Sequence, residues 1–233
     1  MGILITIYST NHIGTEEYAG RFLRLMEEYR FEIEKINLSE PANETYSLIK
    51  AKNMWVTEEP GLYDSDSDKM IGKSGGMYGK GKGFWYQVHW WKHPSKKTLN
   101  YLTVYLSKKV FKQKNREIFL FFTELVENMD ATYGYVTNEE SRNRQHVTGT
   151  LRERLPGVFW LNYFSPLFVD YLGKNSISEF SWKEILENKN GIITQLAETP
   201  DEKVISELEE KAHNYFGESK FDGSDANYPN LLL

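Results

Sequence analysis

Two aromatic-rich runs in the middle of the chain most constrain its fold. Residues 84–91, FWYQVHWW, and residues 100–107, NYLTVYLS, have the β-branched and aromatic enrichment of strands. A turn at His93–Lys97 separates them, so the two are expected to pair antiparallel. Helical patterns lie on both sides of this hairpin. Strands mixed with helices around an antiparallel centre argue for an α+β fold, a mixed or antiparallel sheet with helices packed on it. There is no internal repeat and no composition break that marks a domain boundary.

The flanking elements follow from hydrophobic spacing. Residues 3–8, ILITIY, read as a strand. Thr15 is placed to cap a helix, EEYAGRFLRLMEEYR, with Tyr18, Phe22, Leu25, Met26 and Tyr29 at spacings of three and four. Residues 31–38 alternate apolar and charged, as a half-buried strand does. SLIKAKNMWV, after Pro41, suits either a short helix or a strand. Residues 61–83 hold seven of the 17 glycines and read as a long flexible loop. Residues 112–129 predict an amphipathic helix, 131–137 a strand and 138–152 a polar loop. SWKEILEN predicts a helical turn, GIITQL a strand, and residues 200–217 a closing helix stopped by Gly217. One domain over 1–217 is expected, with residues 218–233 a frayed C-terminal tail.

Residues 155–166, LPGVFWLNYFSP, form the densest aromatic segment. Pro156 and Gly157 suggest a turn, and Val158–Leu161 a short buried strand that Asn162 interrupts. Ser165 and Pro166 then open a short helix, PLFVDYLG. Trp160 is expected to be buried and structural. With its continuation to Gly173, the segment resembles the immunity protein 52 family and related bacterial immunity proteins of polymorphic toxin systems. That resemblance implies a cytoplasmic protein that binds and neutralises a cognate toxin. Its motif is aromatic and structural, so it points to a scaffold more than to an activity.

Composition narrows the function classes. The six Trp, 15 Tyr and 13 Phe suffice for a bulky core or an aromatic binding surface. With no Cys, the chain has no disulfides, thiolate metal sites or thiol catalysis. MGILITIYST lacks the basic and apolar regions of a signal peptide, and no apolar run reaches the roughly 20 residues that span a bilayer. A cytoplasmic protein without a membrane partner is expected. The net charge of −5 argues against a nucleic-acid partner, which needs a basic footprint, and suits a basic protein such as a nuclease toxin.

The candidate chemical motifs fail on spacing. DSDSD at 64–68 has Lys69 and Gly75 where a calcium loop needs Gly and a bidentate Glu. GKS at 72–74 would need Gly at 67, where Ser67 stands, and no strand–loop–helix setting is predicted for it. His12, His89, His93, His146 and His213 are scattered and form no HExxH. No serine sits in a GxSxG elbow. No catalytic residue, metal ligand or cofactor is therefore assigned.

The expected function is stoichiometric occlusion of a toxin. Glu58, Glu59, Asp64, Asp66 and Asp68 would steer the partner, and Trp55, Tyr63 and Tyr78 would anchor it. Two other classes stay open. One is an enzyme assembled from dispersed groups, with His12 and residues 139–154 as contributors. The other is a small-ligand pocket lined by Trp85, Trp90, Trp91 and Trp160.

Overall fold

The computed structural model describes residues 2–64, 69–145 and 151–231. Strand β1 (Ile3–Ser9) is followed by helix α1 (Glu16–Glu28), whose first turn is capped by the Thr15 hydroxyl accepting from Tyr18 N. Then come β2 (Ile33–Asn37), the short β3 (Glu44–Thr45), α2 (Leu48–Trp55), β4 (Glu59–Asp64), β5 (Lys69–Gly81), β6 (Phe84–Lys92) and β7 (Asn100–Leu106). Helices α3 (Lys108–Lys114) and α4 (Ile118–Asn128) lead to β8 (Tyr133–Asn138) and α5 (Glu139–Arg144). The chain closes with β9 (Leu161–Phe164), α6 (Pro166–Leu172), α7 (Lys174–Glu179), β10 (Glu184–Asn188), β11 (Gly191–Gln195), α8 (Glu202–Phe216) and α9 (Ser219–Asp222).

The strands join in one sheet, ordered β10-β11-β9-β8-β1-β7-β6-β5-β2-β3, with β4 on part of the β5 edge. Every described pairing is antiparallel. The fold is α+β, and the expected hairpin of β6 and β7 is present, with Phe84 opposite Leu106. Ile3, Ile5 and Ile7 share one face of the sheet with Leu102, Val104, Phe84, Tyr86, Val88 and Trp90, by the two-residue alternation of strands. These side chains are buried, as are Phe22 and Met26 of α1 and Phe121 and Phe122 of α4. Their rings meet edge to face, for example Phe22 on Tyr86 with centroids 5.0 Å apart.

Residues 61–83 correct the sequence reading. Their described residues are not a loop: 61–64 belong to β4, 69–81 form the 13-residue β5, and 82–83 make the turn into β6. The glycines are there because of what they face. A Cβ on Gly75 would lie 2.2 Å from the Trp90 ring, one on Gly79 2.3 Å from Tyr86, and one on Gly81 2.5 Å from Phe84. Register sets each glycine opposite that same aromatic on β6. The bulky rings of one strand lie over bare backbone of the next. Gly75→Ala should destabilise the fold by about 1–3 kcal/mol through overpacking. In a Trp90→Leu background the loss should shrink without vanishing, since the clash with the ring is removed while Thr57 O still lies 2.4 Å from the added Cβ. Strictly additive losses in a denaturant double-mutant cycle would contradict this pairing.

Other boundaries also differ. The helix expected over 112–129 is broken at residues 115–117, because its first half carries charges and no apolar stripe; α3 has no fully buried residue and packs only Val110 and Phe111 against the core, whereas α4 carries the main core contacts. The polar loop expected at 138–152 opens with α5, capped by the Asn138 side chain accepting from Ser141 N at 2.7 Å. The strand of the LPGVFWLNYFSP segment lies three residues later than expected. Asn162 sits inside it, its side chain bonded to Phe159 N, Phe159 O and the Thr194 hydroxyl. The EILEN part of SWKEILEN forms β10 instead of a helical turn, because pairing with β11 overrides local preference. Residues 218–231 are no frayed tail. Phe221 and Leu231 are buried, and Lys220 pairs with Asp225 at 2.7 Å. Among the described residues, no helix is long and apolar enough to cross a membrane.

Candidate functional site

The second face of the sheet is covered over only part of its width. Over β8 and β9, residues 155–160 lie on it. Phe159 stacks on Tyr135 with centroids 4.3 Å apart, and the Tyr133 hydroxyl donates to Gly157 O at 3.0 Å. Gln145 holds this cover by a two-way bond with the Val158 backbone, 2.7 Å and 3.0 Å. Helix α6 adds Phe168 against Tyr133. Over β1, β7 and β6 the described residues leave the same face open, as a concavity of about 750 Å³.

Register gives this concavity its shape. Thr6 is opposite Thr103, and Thr103 is opposite Gln87, so the three form a polar row across the strands. The two threonine hydroxyls are 3.2 Å apart. Two residues along the strands in one direction stand Tyr105 and Trp85, stacked at 5.6 Å with Tyr78 beyond Trp85 at 5.8 Å. Two residues in the other direction stand Tyr8, Tyr101 and His89, with Trp91 stacked on His89 at 5.6 Å. The result is a trough with a polar floor and aromatic walls. Its walls are four residues apart along each strand, about 13 Å at the usual rise.

Supporting contacts hold both ends. Asn100, wholly buried, accepts from Trp91 N and donates to Asn11 O, each at 2.7 Å, and so fixes the backbone at Trp91. At the opposite end, Glu139, Arg142 and Arg152 rim the trough. Burial, then the neighbouring Tyr135 phenol, hold Tyr8 well above the ordinary phenol range, and the nearby Arg142 charge partly offsets them. Tyr8 is therefore a neutral donor or acceptor at any physiological pH.

Helix α5, which carries Arg142, is fastened to α8 by a buried carboxylate. Glu209 accepts from the Ser141 hydroxyl and from Arg144 Nη2 at 2.7 Å. Burial raises its carboxyl pKa despite these partners. His213 continues the network, its Nε2 2.9 Å from Gln145 Oε1 and its ring stacked on Phe221 at 4.1 Å. Burial lowers the His213 pKa, as it does for His12 and His89. A histidine lowered in the folded state binds fewer protons than in the unfolded chain. Its contribution is complete above about 6.5 and is lost as pH falls toward the folded value. The denaturation midpoint should therefore fall on acidification from pH 7.5 to 5.5. Glu209 acts in the opposite sense near the carboxylate range. His213→Gln should flatten the histidine slope, and an unchanged slope would remove His213 from the account.

The structure separates the residues expected at a partner surface. Trp55 is no surface anchor: it is wholly buried and donates to Ile13 O at 2.7 Å, because Ala51 and Trp55 lie one turn apart and both face the core. Glu58 and Glu59 are exposed, Glu58 3.9 Å from Lys92. Glu59 is opposite Ser74, which is opposite Trp91, so it lies at the far end of the trough face. Tyr63 and Asp64 fall in β4, while Asp66 and Asp68 lie outside the described residues. Tyr78 belongs to the aromatic wall. Of the expected pocket tryptophans, Trp85 and Trp91 line the trough, whereas Trp90 and Trp160 are buried in the core. His12 and Glu139 sit beyond opposite ends of β1, so they do not share a site. His12 instead meets Trp90 edge-on, with Nδ1 buried and unbonded. Among the described residues, no cluster of His, Asp or Glu is arranged to hold a metal ion.

No family model matches the chain, and no curated protein matches it in sequence. Among solved structures it is similar to the Pseudomonas aeruginosa T6SS protein PA0821, with a TM-score of 0.61 over 94% of this chain and 76% of that chain. The likeness is one of fold. At 11% identity the side chains of the trough are not carried with it. What the shared architecture supplies is the broad sheet on which the trough is built.

Proposed function

We propose that this chain is a cytoplasmic immunity protein that neutralises a cognate protein toxin by direct contact, with the aromatic trough at the centre of the contact. The observation that carries this reading is the uneven covering of the sheet. One part of the second face is sealed by residues 155–160, while the adjoining part leaves Trp85, Trp91 and Tyr101 only half-buried. Tyr and Trp at the centre of a concave surface are the side chains that dominate protein–protein contacts. The 155–173 resemblance to immunity proteins and a fold shared with a T6SS protein support the same reading.

The test is genetic and biochemical. Reading frames adjacent to this gene are expressed with and without the chain. Rescue from one toxic product, and co-purification with it, is the expected outcome. Rescue without any physical complex would defeat the occlusion mechanism. A second reading, a small-ligand site, is favoured by the volume of about 750 Å³ and by polar groups of the floor and rim converging on it. Retention of a small molecule by the purified chain, with no neighbouring toxin neutralised, would move that reading ahead.

A further inference from the structure

Resting on the toxin-binding reading, we infer that the trough receives one extended polypeptide segment of the partner, with an acidic residue at the end nearest Arg142 and Arg152. Three observations lead there. The first is width. Walls about 13 Å apart admit one extended chain with its side chains, since packed sheets lie about 10 Å apart. The second is length. From Tyr135 at the edge of the cover across β1 and β7 to β6 is three strand spacings, about 14 Å, which an extended chain of about four residues spans, so a hexapeptide fills it and overhangs its ends. The half-buried Thr103 and Gln87 of the floor offer hydroxyl and amide groups to a backbone crossing above them, with Thr6 buried beside Thr103.

The third observation is charge. In a chain of net charge −5, Arg142 and Arg152 are both exposed, and no ion pair among the described residues involves either. They face one carboxylate, Glu139, at the same rim. Glu59 stands at the far end, so the trough is polar along its length. Guanidinium groups favour carboxylates, which they bind with two parallel bonds. This reverses the charge pairing suggested by the acidic run at 58–68: at this site the protein is the cationic partner.

The test uses the full chain and a phage-displayed library of random hexapeptides, counter-selected against an Arg142→Gln/Arg152→Gln variant. Wild-type-dependent peptides should be enriched in Asp or Glu toward one end. Binding of their synthetic forms should shift the indole N–H signals of Trp85 and Trp91, assigned by Trp85→Phe and Trp91→Phe. It should leave that of the core Trp90 in place. Each arginine replaced should weaken binding about tenfold. Enrichment of basic sequences, or no selection that depends on the arginines, overturns the proposal. So does an indole response to a soluble hexasaccharide with none to the peptides. Once a neutralised toxin is in hand, the double variant should bind it at least tenfold more weakly. If the toxin binds the double variant as tightly as wild type, this inference falls while the immunity reading stands.

Discussion

Trp90→Ala should be the most damaging single substitution in this protein. The indole is wholly buried, and its Nε1 donates to Trp55 O at 2.7 Å, while Trp55 in turn donates to Ile13 O. The ring also fills the space over Gly75 and beside Gly14. Truncation leaves a cavity flanked by two glycines with no side chains to collapse into it. The packing loss is about 3–5 kcal/mol. The orphaned Trp55 carbonyl adds about 1–3 kcal/mol. A loss of that size is a large fraction of the stability of an ordinary domain. Chemical denaturation should give a much lower midpoint or no folded baseline. A loss under about 2 kcal/mol would mean that the site collapses or fills with water.

Trp160→Ala should rank next and should fail in a different place. Trp160 is 4% exposed and packs edge-on against Phe111 at 5.7 Å. Its Nε1 donates to Ala197 O at 2.8 Å, and its own carbonyl accepts from Leu196 N. The residue therefore pins the cover segment to the end of β11. About 3–5 kcal/mol should be lost. Amide exchange should accelerate first over residues 155–160, before β1 and β7 are affected. Trp160→Phe keeps much of the volume, and Gln195 Nε2 still donates to the Ala197 carbonyl at 2.8 Å, so only one hydrogen bond is lost, at about 0.5–1.5 kcal/mol. Wild-type stability in Trp160→Ala, with only partner binding lost, would place this side chain at an interface instead.

Much of this fold could be read from local pattern. Thr15 marked the start of α1, the β6–β7 hairpin followed from its composition, and Pro166 and Gly173 bounded α6. The errors share one cause. A glycine's meaning depends on what lies beside it, and Gly75, Gly79 and Gly81 are explained only by the aromatics of β6. Trp55 reads as a surface anchor in the sequence because acidic residues follow it. The four-residue step from Ala51 to Trp55 was the available sign of burial. The trough was harder still. Its floor joins Thr6 to Thr103, 97 residues apart in sequence, and only strand register brings them together. The one local hint is that β6 carries large rings on both faces and β7 adds Tyr101 and Tyr105 to the outer one. A hairpin with water on one side has no need of that.

The place of β1 has a consequence for how the protein is made. It lies between β7 and β8, with Ile3 opposite both Leu106 and Asn138, so neither neighbour exists until about ninety or more residues have followed it. At roughly 5–20 residues per second on the ribosome, ILITIY must wait roughly 5–20 seconds for its first partner strand. During that time it is an apolar segment of high β-propensity with both edges unpaired, the kind that associates with copies of itself. Helix α1, formed directly after it, can shelter one face but neither edge. Yield in a heterologous host should accordingly be governed by chaperone capacity and growth temperature more than by the stability of the finished fold.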